Sequence, residues 1–280
     1  MSERDYFRHD YEGRGVSAFW AFHRATKGLL VAILAMTVLL LLVRSVSRTA
    51  HVALVRALAL DPYAVIEEFK LWQLVTGALL HGGLFHLLFN ALGLWFFGRT
   101  VEDRLGPRRM LLFCLGATLC ASFAYIAWSL ARQTVTPMLG FSGALMGILV
   151  LVAVWYPNTS VLLFFVIPVR LWVLVVVLIG MDVLMTLQAD SDVAHTAHLG
   201  GALFGWITAR HGGWFARLGA LWASGAARAR RTRERHRERE EVDLRSEVDR
   251  ILDKVNREGL GSLNDKEKRF LKDAGSRLRP

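Results

Sequence analysis

Along the chain, long apolar runs alternate with short polar breaks, and roughly 20 apolar residues suffice to cross a bilayer core of about 30 Å. Six runs read as candidate spans, at about residues 29–47, 77–97, 110–131, 140–156, 169–187 and 194–210. The first, third and fifth are nearly featureless apart from Asp182, whereas the second, fourth and sixth hold the histidines, a serine and most of the glycines. Residues 44–71 mix apolar with charged positions, the pattern of a partly helical loop lying in the interface. Beyond the last span, residues 225–241 (GAARARRTRERHREREE) form a charge run with Glu and Arg at helical spacing. It reads as a solvated helix or linker, with lipid-headgroup contact as the alternative. Two short amphipathic helices follow within residues 242–274. Val248, Ile251, Leu252 and Val255 mark the first, and Leu263, Phe270 and Leu271 the second, with a break at Gly259–Ser262.

Composition supports a membrane body with a solvated tail. Apolar residues make up 54% of the chain with glycine not counted, against about 45–50% with glycine counted in ordinary globular chains. The net charge of +10 raises a nucleic-acid binder, but most basic residues flank apolar spans or sit in the tail. The positive-inside rule accounts for them there, so no nucleic-acid partner is expected. Arg4, Arg8, Arg14, Arg24 and Lys27 precede the first span, Arg99, Arg104, Arg108 and Arg109 follow the second, and the tail is rich in arginine. Both termini are therefore expected in the cytoplasm, and residues 189–194, without a basic residue, on the opposite side. The loop at 157–168 gives no orientation signal. Cys114 and Cys120 lie inside an apolar run and read as small buried hydrophobes. The polar N-terminus has no short apolar core followed by a small-residue cleavage site, so a cleaved signal peptide is not expected.

The chemistry gathers in three places. His198 lies in the apolar stretch AHLGGALFG, and an ionisable ring inside a span is a functional candidate by default. Gly201 and Gly205 stand one turn apart beside it, and Gly143 and Gly147 do the same behind Ser142 in GFSGALMG. Two such small-residue faces allow backbones to approach closely, near enough for Ser142 and His198 to hydrogen-bond. A neutral imidazole beside a serine can take its proton and turn a weak nucleophile into a useful one. No residue stands out as a third member to orient the base, so the expectation is a Ser-His dyad. Asp182 is left outside catalysis, and His195, three positions before His198, is read as a second, non-catalytic histidine.

The third place is HGGLFHLLFN, where His86 and Asn90 share a helical face and His81 lies off it. Hydrolysis of a peptide passes through an oxyanion that needs preorganised donors. The Asn90 amide, the His86 ring and the Ser142 backbone N–H are the candidates, with interhelical hydrogen bonding as the plainer alternative. His81 is a candidate structural hydrogen-bonder for the outer loop. A metal site built from His81, His86, His195 and His198 is set aside, because no HExxH and no carboxylate accompany the second span; no metal or other cofactor is expected.

In this order, WQLVTGALLHGGLFHLLFNALGLWFFG, VEDRLG, GFSGALMG and AHTAHLGGALFG make the chain resemble the rhomboid family of intramembrane serine proteases. The resemblance covers about residues 29–212 and implies an all-α, polytopic membrane protein with a six-helix bundle. It implies nucleophile Ser142, base His198 and oxyanion residues His86 and Asn90, supported by Gly143, Gly147 and Gly201. Glu102–Gly106 matches the family's charged turn, and Trp72-Gln73 a tryptophan-plus-polar pair in the outer loop. Many members carry an aromatic residue four positions after the serine, against the base; here it is Met146. The expected organisation is a cytoplasmic N-terminal segment (1–28), the six-helix domain (29–212), a charged linker (213–241) and a helical extension (242–280). That extension resembles a small hairpin appended to some bacterial membrane proteases. The implied function is cleavage of transmembrane segments of substrate proteins in a bacterial inner membrane, with those substrates and membrane lipids as partners. A rhomboid-like protein that binds such segments without cutting them is the alternative, although such proteins typically lack the serine or the histidine. A transporter with a histidine proton relay predicts duplicated halves, and no internal repeat is seen.

Overall fold

The protein is described by a computed structural model covering residues 23–133, 136–163, 166–187, 195–259 and 263–277. Residues 1–22 of the expected N-terminal segment, the loop at 189–194 and residues 260–262 of the expected C-terminal break lie outside the described residues. The chain divides into two compact units, Met1–Gly219 and Ala220–Pro280.

In the first unit, α1 (Arg24–Val46) is followed by α2 (Arg48–Leu58), α3 (Pro62–Glu67) and the single turn α4 (Gln73–Thr76). A continuous helical stretch follows, made of α5 (Leu84–Gly93), a π-helical segment (Leu94–Gly98) and α6 (Arg99–Leu105). Next come α7 (Pro107–Arg132), α8 (Ser142–Trp155), a hairpin of β1 (Ser160–Leu163) with β2 (Ile167–Arg170), and α9 (Leu171–Thr186). Helix α10 (His195–Glu258) starts in this unit and carries one non-helical residue, His211.

Among the described residues, three stretches are long and apolar enough to cross a membrane: Arg24–Val46, Leu84–Leu105 and Pro107–Arg132. The apolar helices α8 and α9 are shorter, 14 and 16 residues. The second expected span is displaced: helix begins at Leu84, not near 77, and runs on to Leu105. Gly82 and Gly83 have poor helix propensity, and Gly83 is extended, so the His81-Gly82-Gly83 segment stays outside the helix. The hairpin was not expected from the sequence. It pairs Ser160 with Arg170 and Leu163 with Ile167, turning the chain back into α9.

Burial grades across the unit as a membrane body requires. Ten of the fourteen residues of α8 are buried, which makes it the central helix. Helix α7 packs against it on one side and α9 on another. On α1 and α9, Val31, Leu41, Leu42, Val176 and Leu184 are exposed, as apolar side chains facing lipid would be. The segment between α1 and α5 is ordered by polar side chains. Ser47 and Asp61 cap α2 and α3 by accepting from backbone N–H groups. Buried Gln73 accepts from the Asp61 N–H and donates to the Arg56 carbonyl, both at 3.0 Å, while Trp72 donates to the Ala57 carbonyl.

Glu102 has a comparable task. Its carboxylate, 3% exposed, accepts from the Ala25 and Thr26 N–H groups at 2.9 and 2.7 Å. It therefore satisfies the N-terminus of α1 from a different helix, where charge-assisted bonds and the helix dipole add. Glu102→Ala is expected to lower stability by about 2–4 kcal/mol, because two buried donors are orphaned. Glu102→Gln, which keeps an acceptor, should fall between; thermal unfolding in detergent measures both.

In the second unit, the end of α10 is followed by α11 (Asp265–Arg277). The first amphipathic segment is therefore not a separate helix but the last turns of α10, and the charge run at 225–241 is helical backbone within it. Ile251, Leu263 and Ala274 are buried in this unit. Leu252, expected on the apolar face, is 46% exposed.

Candidate active site

Ser142 is the first residue of α8, where backbone N–H groups have no acceptor within the helix and the dipole is positive. The preceding residue pair sets this geometry: Gly140 has φ +121°, which L side chains rarely adopt. The glycine also makes room for His86, since a Cβ there would lie 2.6 Å from the His86 Nε2. The His86 ring thus packs against Gly140, two residues before Ser142.

Helix α10 brings His198 to the same point. Its Nε2 lies 2.8 Å from the Ser142 Oγ. Glycines allow the approach: a Cβ on Gly147 would stand 2.8 Å from the Gly201 carbonyl oxygen, and one on Gly143 3.2 Å from the Ala197 carbonyl oxygen. A Cβ on Gly201 would collide with the carbonyl of Gly143, and one on Gly205 with that of Gly147.

A carboxylate that the sequence reading leaves outside the site lies against the other ring nitrogen. His198 Nδ1 lies 3.0 Å from Asp182 Oδ1, and His195 Nδ1 lies 2.6 Å from the same oxygen. Asp182 is 5% exposed. The two histidine rings meet edge to face, 6.1 Å between centroids. The sequence drew notice to both residues but did not join them to the site, because Asp182 belongs to a different span from the two histidines and matches no motif. The available signal was that Asp182 is the one acid inside an apolar run, where a charge is costly and needs a partner. The donor atoms of Asp182, His195 and His198 lie within 4.8 Å of one another, so these three, rather than the four histidines considered from sequence, could hold a metal ion.

The second cluster is only partly gathered. Asn90 is 2% exposed, and its Nδ2 donates to the His86 carbonyl at 2.7 Å within its own helix. Among the described residues no hydrogen bond joins it to Ser142 or His198. The amide keeps one further N–H, while its Oδ1 is buried without a hydrogen-bond partner among the described residues. His81 makes no ring hydrogen bond among the described residues; its ring stands edge-on to His86 at 5.1 Å. Met146 is buried in the core. The ring beside His198 is instead His195.

A family model described as Rhomboid domain matches residues 68–223. A second, described as a family of unknown function (DUF6576), matches residues 231–276. Among curated relatives, RHOMBOID-like protein 12, mitochondrial, of Arabidopsis thaliana is 33% identical over 49% of this chain and 46% of its own length. Rhomboid protease GluP of Bacillus subtilis is 32% identical over 52% of this chain and 27% of its own. Rhomboid protein 1, mitochondrial, of Saccharomyces cerevisiae is 29% identical, over 49% and 42% respectively. The chain thus spans less than half the length of each of these relatives.

Proposed function

The chain belongs to the rhomboid family, and from that premise we propose that it is an intramembrane serine endopeptidase that cleaves transmembrane segments of other proteins. The observation that carries the reading is the 2.8 Å contact between Ser142 Oγ and His198 Nε2. His198 takes the hydroxyl proton as Oγ attacks the scissile carbonyl. The resulting oxyanion is held by the Ser142 N–H, the His86 ring and the remaining Asn90 N–H. Collapse passes the proton from His198 to the leaving amine and leaves an acyl-enzyme on Ser142, which water then hydrolyses. No cofactor is needed for these steps.

The short α8 supports access to such a substrate. Fourteen residues rise about 21 Å, roughly 10 Å less than a bilayer core. Ser142 at its N-terminus therefore lies below the membrane surface when the other end is at the opposite interface. A six-span topology completes the proposal, with α8, α9 and the first part of α10 as spans four to six. The basic residues before α1, including Arg24 and Lys27, support placing the N-terminus on the cytoplasmic side.

Fluorophosphonate labelling of the purified protein tests the reading. Wild type is expected to label covalently, and His198→Ala to label on the order of 10²-fold more slowly, the usual loss of a general base. A folded wild type that binds a transmembrane peptide but takes no label would instead be a rhomboid-like binder that does not cut.

A further inference from the structure

A base that accepts a proton at Nε2 must carry its own proton at Nδ1. In this protein the Nδ1 of His198 faces a carboxylate from another helix, Asp182 Oδ1 of α9, at 3.0 Å. Building on the protease reading above, we propose that Asp182 is the positioning residue of His198, and that His195 holds the Asp182 carboxylate in place by donating to the same oxygen.

Four observations carry it. The Ser142–His198–Asp182 contacts run through both ring nitrogens of one imidazole, at 2.8 and 3.0 Å, so the ring cannot rotate without losing one of them. Asp182 is almost fully buried in an apolar helix, where an ionised carboxylate persists only if its oxygens are satisfied. His195 and His198 stand three apart on α10, so both present their Nδ1 to α9. The titratable groups facing His198 are Asp182 from α9, His195 from its own helix and His86 from α5. Asp182 is the one anion among these. When His198 takes the Ser142 proton, the imidazolium forms beside that carboxylate, and their attraction is strengthened by the poorly solvated surroundings.

The consequence is a split between binding and chemistry. Asp182→Asn keeps the shape but removes the charge. Its amide N–H can also face Nδ1, which favours the tautomer protonated at Nε2, unable to act as a base. With full-length protein in detergent and a model transmembrane substrate, kcat is expected to fall about 10²-fold or more, with KM within about twofold and the unfolding midpoint little changed. His195→Phe should lower kcat by about tenfold, the value of one lost hydrogen bond to a charged group. His195→Asn, whose amide N–H can replace Nδ1–H, should recover most of that loss. Wild type and Ser142→Ala are run alongside. If wild type cleaves, Ser142→Ala does not, and Asp182→Asn keeps the wild-type kcat, the protease reading stands and this inference is overturned. Activity lost on dialysis against EDTA and restored by zinc would also overturn it, making the three residues a metal site. A folded wild type that does not cleave overturns both readings.

Discussion

Ser142→Ala is expected to reduce cleavage of a model transmembrane substrate to background, a loss on the order of 10⁴-fold or more. In the proposed reaction the serine hydroxyl supplies the bond-forming oxygen, and its Oγ is the atom that meets His198 Nε2 at 2.8 Å. The same change should abolish fluorophosphonate labelling outright rather than slow it, which separates loss of the nucleophile from loss of the base. Folding is a poor alternative explanation, because the variant loses one hydrogen bond and leaves the small side chain's place filled by a methyl group. A stability change of about 1 kcal/mol is the most such a loss should bring. Cleavage is to be followed by gel in detergent, alongside an unfolding curve of the same preparation. Full cleavage by folded Ser142→Ala would remove the nucleophile from Ser142 and end the protease reading in its present form.

The parts of this site that could be read from the sequence are those with a spacing. Glycines one turn apart behind Ser142 and beside His198 announce a close crossing of two helices, and α8 and α10 do cross there, with Gly201 against Gly143 and Gly205 against Gly147. That His86 and Asn90 share a helix face follows from their spacing, and the apolar runs locate most helices to within a few residues. What stayed hidden depends on how separate helices turn toward one another. Asp182 lies 16 residues before His198, on a different helix, and apolar periodicity does not say which side of α9 faces α10. Burial cost was the usable clue: an acid among valines and leucines must have a partner, and the nearby span offered two histidines. The Asn90 amide shows the opposite failure. A shared face with His86 is real, yet one of its hydrogens is used by the His86 carbonyl itself. The π-helical segment at Leu94–Gly98 and the hairpin at Ser160–Arg170 had no sequence signal strong enough to place them.

Gly201→Ala is expected to damage activity more than stability. The added methyl group would meet the Gly143 carbonyl far inside contact distance, and that carbonyl belongs to the backbone of α8, which cannot rotate away as a side chain can. The two helices must therefore separate by about 1 Å or more, and overpacking of this kind costs about 1–3 kcal/mol. Ser142 and His198 lie on the two helices that separate, and their 2.8 Å bond spans the gap. Misplacing a catalytic pair by about 1 Å can cost about 10² in rate, so kcat should fall by that factor even in molecules that remain folded. Gly180→Ala is the control: it lies on α9 with nothing within 4 Å of an added Cβ, and alanine there gains helix propensity. Its activity should stay within about twofold of wild type. If Gly201→Ala retains wild-type kcat at temperatures well below its unfolding transition, the helix crossing tolerates the methyl group and does not set the Ser142–His198 distance. A low kcat with a near-normal unfolding curve would mean that the glycine pair acts on catalysis through geometry, since neither residue carries a group that could take part in the chemistry.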